Sequence, residues 1–319
     1  MWPKSRPRRP AGFCGKQQRE KNPVRKEETR PRSMSLLSEK TCPDNGGNLR
    51  SRAASLNDDR FSISFVRHHF RNNAIVRWGA AFLGPHLLTS LGALPRYLVE
   101  WNTYKKKAAT QQISFLDSYP CLADRVVDTP FDPHYFFQAA WLARRVHDVM
   151  PPFHVDIGSS VMMINVLSAT TKTIFVDYRP LRVHLSNFLP LGGDIVRLPF
   201  RTGSITSLSC LHVLEHVGLG RYGDPINPEG SQLAATELQR VLKPGGRLFL
   251  SVPAGRERVC FNAHRVFSPS TVKDFFQELQ LKAFSLVDDA GRFHEEISPE
   301  GVDNLDYGCG LFEFVKTRE

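Results

Sequence analysis

The chain has 319 residues, 41% of them hydrophobic and 10% aromatic, enough to bury a substantial core. Its net charge of +10 is concentrated at one end, because residues 1–33 hold eleven Lys/Arg against three Glu. The rest is nearly neutral, so the high pI gives the body no nucleic-acid-binding character. Six cysteines, at 14, 42, 121, 210, 260 and 309, show no Cys-x-x-Cys spacing. That argues against a zinc ribbon or a disulfide scaffold and fits free thiols in the cytoplasm.

Residues 1–55, rich in Pro, Arg, Lys, Ser and Asn without apolar periodicity, read as a disordered basic tail. No apolar stretch follows the charges of residues 1–10, which excludes a secretory signal, and Glu27-Glu28 fits a transit peptide poorly. Met34 stands as an alternative start. Residues 56–130 form a helical cap region: Phe61, Phe65, Phe70 and Ile75 fall near helical spacing, and 87–101 is a second apolar run. His68-His69 reads as a solvated pair, since neighbours on a helix point apart. The uncharged stretch Trp78–Pro95 is broken by Pro85 and three glycines. It reads as buried or membrane-surface helices rather than as a span.

The main domain is expected over 131–319. Asp132-Pro133 is a helix start, with Asp as cap and Pro in the first turn, and Pro151-Pro152 ends that helix. Beyond it, strands are predicted at 153–157, 173–177, 205–212, 247–252, 281–287 and 311–315, and helices at 160–169, 232–242 and 270–279. Their alternation implies βαβ units in a mostly parallel, doubly wound sheet.

Chemistry concentrates at the strand ends. The first strand runs through Asp156 into Gly158-Ser159-Ser160, a turn that lets backbone approach a ligand before a helix opens. One glycine is a poor diphosphate cradle, which disfavours a dinucleotide enzyme. Asp177 ends the second strand, 19 residues after Gly158, where a carboxylate accepts from a ribose diol. Tyr178 beside it can pack on an adenine, Asp194 can accept its amine, and Ile195 can pack on the ring. The fourth strand runs through Leu211 into His212, Glu215 and His216 at its carboxyl end, where open α/β sheets bind ligands.

Taken in order, Asp156-x-Gly158, Asp177, Asp194 with Leu198-Pro199-Phe200, Leu214-Glu215-His216 and Leu242-Lys243-Pro244-Gly245-Gly246 resemble the class I S-adenosylmethionine (SAM) dependent methyltransferases over residues 150–317. Gly218–Pro225, Cys260–Phe267 and Val287-Asp288-Asp289 further resemble a methyltransferase-like family of unknown function first catalogued from nematodes, with bacterial members. The resemblance implies a Rossmann-like fold, a seven-stranded sheet with an antiparallel last strand, and SAM as cofactor. It places Asp156, Gly158, Ser159, Ser160, Asp177, Tyr178, Asp194, Ile195, Leu211 and His212 at the cofactor. Ser159 and Ser160 depart from the family's extra glycines, but a serine still makes the turn and donates to the methionine carboxylate.

Methyl transfer needs positioning first, and a general base only for a hydroxyl or protonated amine. His216 is the candidate base or else a structural hydrogen bond, with Glu215, Arg221 and His264 as further catalytic candidates. Arg221 either grips an anionic acceptor or pairs with Asp224 to brace its loop. Asn262 and Arg265 join His264 in an expected acceptor pocket. His294, Glu295 and Glu296 read as a solvated turn, and no metal site is expected. The neutral body favours a small-molecule or glycan acceptor. A catalytically silent SAM-fold partner protein and an NAD or nucleotide-sugar enzyme are the alternatives.

Overall fold

The computed structural model describes residues 87–108 and 110–317. The expected tail, the run 61–75 and His68-His69 lie outside them. The chain divides into two units, 1–122 and 123–319. The described part of the first is helix α1, Leu87–Lys107, followed by a 3-10 turn at Phe115–Asp117. Lys105, Lys106 and Lys107 fill the last turn of α1, where cations favour the helix dipole. Trp101 meets Phe115 edge-on at 5.7 Å. Among the described residues, no helix is long and apolar enough to cross a membrane.

The second unit opens with α2, Pro133–Val149. Asp132 Oδ1 accepts from the backbone N–H of His134 (2.9 Å) and Tyr135 (3.2 Å), as the Asp-Pro signal predicts. The helix stops where Met150 turns left-handed ahead of the two prolines. There follow β1 (His154–Ile157), α3 (Val161–Leu167), β2 (Thr173–Asp177), β3 (Phe188–Gly192), β4 (Ile205–Leu211), α4 (Gly230–Val241) and β5 (Leu242–Ala254). A short hairpin, β6 (Arg258–Cys260) with β7 (His264–Val266), leads to α5 (Pro269–Phe275), β8 (Leu279–Val287), β9 (Phe293–His294) and β10 (Gly308–Lys316).

One sheet has the order β3-β2-β1-β4-β5-β10-β8-β9. Strands β1 to β5 pair in parallel, while β10 runs antiparallel between β5 and β8. This is the Rossmann-like class I methyltransferase fold, with an eighth, two-residue strand beyond the seven expected. Period-two alternation sorts side chains to two faces. Leu248, Leu250 and Val252 of β5 pack with Ala234, Leu238 and Val241 of α4, whereas Phe249 joins Trp141, Leu142 and Val146 of α2. Glu313 of β10 is fully buried, answered by Arg247 and by Arg145 at 3.0 Å. The order reverses between β1 and β4, and open α/β sheets hold ligands at the carboxyl ends of such a pair.

Three sequence expectations need correction. Strand β3 was not anticipated as an element, because Phe188-Leu189-Pro190-Leu191-Gly192 mixes strand formers with breakers and lies at the sheet edge. Helix α5 ends at Phe275, not 279, and its last residues turn straight into β8. Strand β4 stops at Leu211, since His212 takes a left-handed φ of 53°.

Candidate functional site

Every residue of β1 is buried, and beneath its end lies a polar network. Asp156 accepts from Ser159 N–H (3.1 Å) and Ser159 Oγ–H (2.7 Å), and from Ser209 Oγ–H. Ser159 Oγ in turn accepts from the N–H of Leu211 at 3.0 Å, tying the turn to β4. His154 bridges Ser207 and Ser209 at 2.8 Å each. Ser209 spends its proton on Asp156, so His154 donates from Nε2 and accepts at Nδ1. Burial pushes the Asp156 carboxyl up to about 6 and holds His154 down at about 3. Asp156 thus braces the loop under the expected cofactor site, its carboxylate engaged by Ser159 and Ser209. Leu211 likewise contributes backbone, its side chain being core.

Above this network opens a cleft of roughly 700 Å³, counting its open mouth. Gly158, at φ 63°, forms its floor; a Cβ there would lie 3.4 Å from Val213 and 4.0 Å from Asp177 Oδ2. Asp177 Oδ1 accepts from Arg179 N–H at 2.7 Å, which leaves Oδ2 turned toward the glycine. Tyr178, Asp194 and Ile195 line the same cleft. Asp194 Oδ1 accepts from Val196 N–H at 3.1 Å, fixing the turn that presents Ile195. Tyr222 lies over the mouth between Arg179 and Arg221, whose guanidinium carbons sit 4.5 and 5.1 Å from its ring.

A second cleft adjoins the first, sharing Gly158, His212, His216 and Tyr222. It adds Ser159, Ser160, Arg221 and His264, and also His134 and Tyr307, which sequence reasoning missed. His216 Nδ1 donates to the carbonyl of Ala263 at 2.6 Å, so its Nε2 carries the lone pair, 3.7 Å from Glu215. Burial holds the pKa of His216 below its ordinary value, chiefly against the pull of Glu215. Burial likewise lowers His134 and His264, the latter helped by its neighbour His216. Glu215 is 1% exposed and sits behind His212, whose Nδ1 it holds at 2.9 Å. It lines this second cleft as well, with Oε1 shared between the ring of His212 and, at 3.7 Å, that of His216.

The loop after His216 is braced from below. Asp224 accepts from the N–H groups of Gly218 (2.8 Å) and Tyr222 (3.2 Å) and makes no pair with Arg221. Arg221 instead donates to the Ala263 carbonyl at 3.1 Å. Gly218 is obligatory here, because a Cβ would stand 2.0 Å from the Asn227 carbonyl oxygen. Arg265 is buried and donates to the Val217 carbonyl at 2.7 Å and Ser231 Oγ at 3.1 Å, so it holds this loop and leaves the acceptor pocket to His264. Asn262 reaches only the Leu219 carbonyl. His294 and Glu296 are engaged with Asp288 and Arg145. No metal site was expected, yet ligand atoms of His134, His212 and Cys309 lie within 4.8 Å of one another.

Residues 202–288, from the turn before β4 to the end of β8, match the family described as "Caenorhabditis protein of unknown function, DUF268", the nematode family that the motifs suggested. No curated protein matches the chain. Among solved structures, the YcgJ protein of Bacillus subtilis is 14% identical, covering 58% of this chain and 100% of its own, with a TM-score of 0.41. The N-methyltransferase NodS of Bradyrhizobium japonicum, solved with S-adenosylhomocysteine, is 16% identical, covering 68% of this chain and 98% of its own, also at 0.41.

Proposed function

We propose that the first cleft binds SAM and that its methyl group passes to a small-molecule or glycan acceptor held in the second. The observation that carries this reading is the Asp177 carboxylate, with one oxygen spent on Arg179 N–H and the other turned over Gly158. A carboxylate so held can take both hydroxyls of a ribose, and the absent Cβ leaves room for the sugar. Ile195 and Tyr178 offer apolar faces to an adenine, and Ser160, which makes no side-chain capping bond, can donate to the methionine carboxylate. When bound, SAM supplies an electrophilic methyl group on a sulfonium.

The acceptor's proton falls to His216. Its Nδ1–H is held by the Ala263 carbonyl, its Nε2 is unprotonated near neutrality, and the Glu215 carboxylate at 3.7 Å steadies the imidazolium that forms. His264 and the Tyr307 phenol, kept protonated by burial, can orient acceptor hydroxyls. The unpaired thiols Cys210, Cys260 and Cys309 support a cytoplasmic setting.

The test is calorimetry with SAM, S-adenosylhomocysteine and NAD, followed by mass-shift profiling of metabolite extracts. SAM and S-adenosylhomocysteine should bind and NAD should not. Absence of SAM affinity would sink the reading in favour of a silent fold, and preference for NAD would favour a dehydrogenase.

A further inference from the structure

We propose that His134, His212 and Cys309 bind a zinc-class divalent ion, with Glu215 orienting His212 from behind. The three come from the first turn of α2, the end of β4 and the start of β10, and their ligand atoms all lie within 4.8 Å of one another. Two imidazoles and a thiolate form a set that zinc prefers and that magnesium or calcium does not.

The second observation concerns His212 alone. Its Nε2 is buried and makes no hydrogen bond, whereas Nδ1 donates to Glu215 Oε1 at 2.9 Å. The Glu215 bond occupies Nδ1, which leaves Nε2 as the ring atom that faces the cluster. A carboxylate behind a ligating histidine is the arrangement that orients the ring and raises its basicity at zinc sites. The ring reaches this position from a left-handed φ of 53°, an uncommon conformation for a residue with a side chain, which the surrounding structure must maintain. A buried imidazole nitrogen without a partner costs stability, and a metal ion would remove that cost.

Around zinc, nitrogen and sulfur ligands stand about 3.3–3.6 Å apart, given bonds of about 2.0–2.3 Å. Closing from 4.8 Å needs roughly 1 Å of movement. The His134 ring, partly exposed and stacked at 5.5 Å on Tyr307, is the side chain freest to move. Cys309 would bind as thiolate and release its proton to solvent. Three protein ligands leave a fourth position, and His134 and His212 both line the second cleft, so that position faces the space assigned to the acceptor. The ion could there hold an acceptor oxygen or sulfur and favour its deprotonation. This use rests on the methyl-transfer reading; binding of the ion does not.

The experiment uses the full chain, stripped with a chelator and titrated with zinc against a chromophoric competitor, then loaded with cobalt for its visible spectrum. One ion per chain with submicromolar affinity, and a thiolate-to-cobalt charge-transfer band, are expected. His134→Ala, at a helix start where folding is little affected, should weaken zinc at least 100-fold. Cys309→Ser should do the same and abolish the band, and Glu215→Gln should weaken zinc 10- to 100-fold while the band persists. Zinc should also protect Cys309 from alkylation. Failure of the intact chain to take up zinc, or unchanged uptake in both His134→Ala and Cys309→Ser, would overturn the proposal. SAM titration of the same stripped protein separates the readings. Zinc uptake without SAM affinity defeats methyl transfer alone, and SAM affinity without zinc uptake defeats the metal site alone.

Discussion

The cleft over Gly158 is made from chain segments that follow one another at strand ends: Gly158 after β1, Asp177 after β2, Asp194 and Ile195 after β3. The cleft beside it draws on five stretches, around His134, Ser159, His216, His264 and Tyr307. Backbone turns shape the first, and its strand-end carboxylates are anchored to their own loops, Asp177 to Arg179 and Asp194 to Val196. Side chains shape the second, and they reach across the fold, as His216 does to the Ala263 carbonyl and His134 does to the Tyr307 ring. A site of the first kind is local and portable between sequences. A site of the second kind is particular to this chain, which is where specificity for an acceptor would reside.

Mutations should separate the two. The largest effect is expected from His216→Ala, a loss of roughly 10²–10⁴ in turnover with SAM affinity nearly unchanged. Because burial lowers the His216 pKa and the neutral ring is the active form, the wild-type rate should rise with pH through an inflection below the ordinary imidazole value of about 6.5. Equal loss of SAM binding in this variant would erase the division between the clefts. Next comes Asp177→Ala, which removes charge-assisted hydrogen bonds to the ribose and should weaken SAM by roughly 2–4 kcal/mol, read by calorimetry. Unchanged affinity in the folded variant would remove Asp177 from the site.

That contrast also explains what the sequence revealed. The strand-end Asp at 177 and the glycine turn at 158 announce themselves because spacing along the chain is the signal, and the βαβ rhythm carries most of the sheet with it. The bracing role of Asp156 is illegible for a physical reason: a strand-end acid looks the same in sequence whatever it meets, and only the fold brings Ser209 beneath it. His134, Tyr307 and Cys309 stay silent, since nothing in their local sequence indicates that α2 and β10 converge. Arg265 reads as a pocket residue for the same reason, although its partners, Val217 and Ser231, lie dozens of positions away.

A third prediction concerns the network under the first cleft, read by denaturation at several pH values. His154 is held at about 3 in the fold against about 6.5 when unfolded, so the unfolded chain binds the extra proton and stability falls as pH drops below 6.5. Asp156, at about 6, takes up its proton first in the folded state, so between pH 6 and 4 it offsets that loss. Asp156→Asn should therefore leave stability at pH 7 least affected. Its deficit should then grow by up to about 1.4 kcal/mol per pH unit between pH 6 and 4. A deficit independent of pH would show that Asp156 does not titrate in this window. The smallest effect is expected from Tyr222→Ala, which removes two cation–π contacts at the shared mouth and should weaken SAM by about 1 kcal/mol. A change in acceptor turnover with no change in SAM would assign Tyr222 to the second cleft alone.

The antiparallel strand between β5 and β8 sets a condition on biosynthesis. β10 is the last strand in chain order, yet it occupies an interior place in the sheet and carries the Glu313 carboxylate that answers Arg145 and Arg247. While a ribosome is still adding these residues, β5 and β8 present two unpaired edges flanked by Phe249 and Phe284, and the two arginines have no counter-charge from β10. Such edges are templates for pairing with other chains. Closure of the sheet therefore waits on β10, and the interval before β10 inserts is when a chaperone would matter most to this protein.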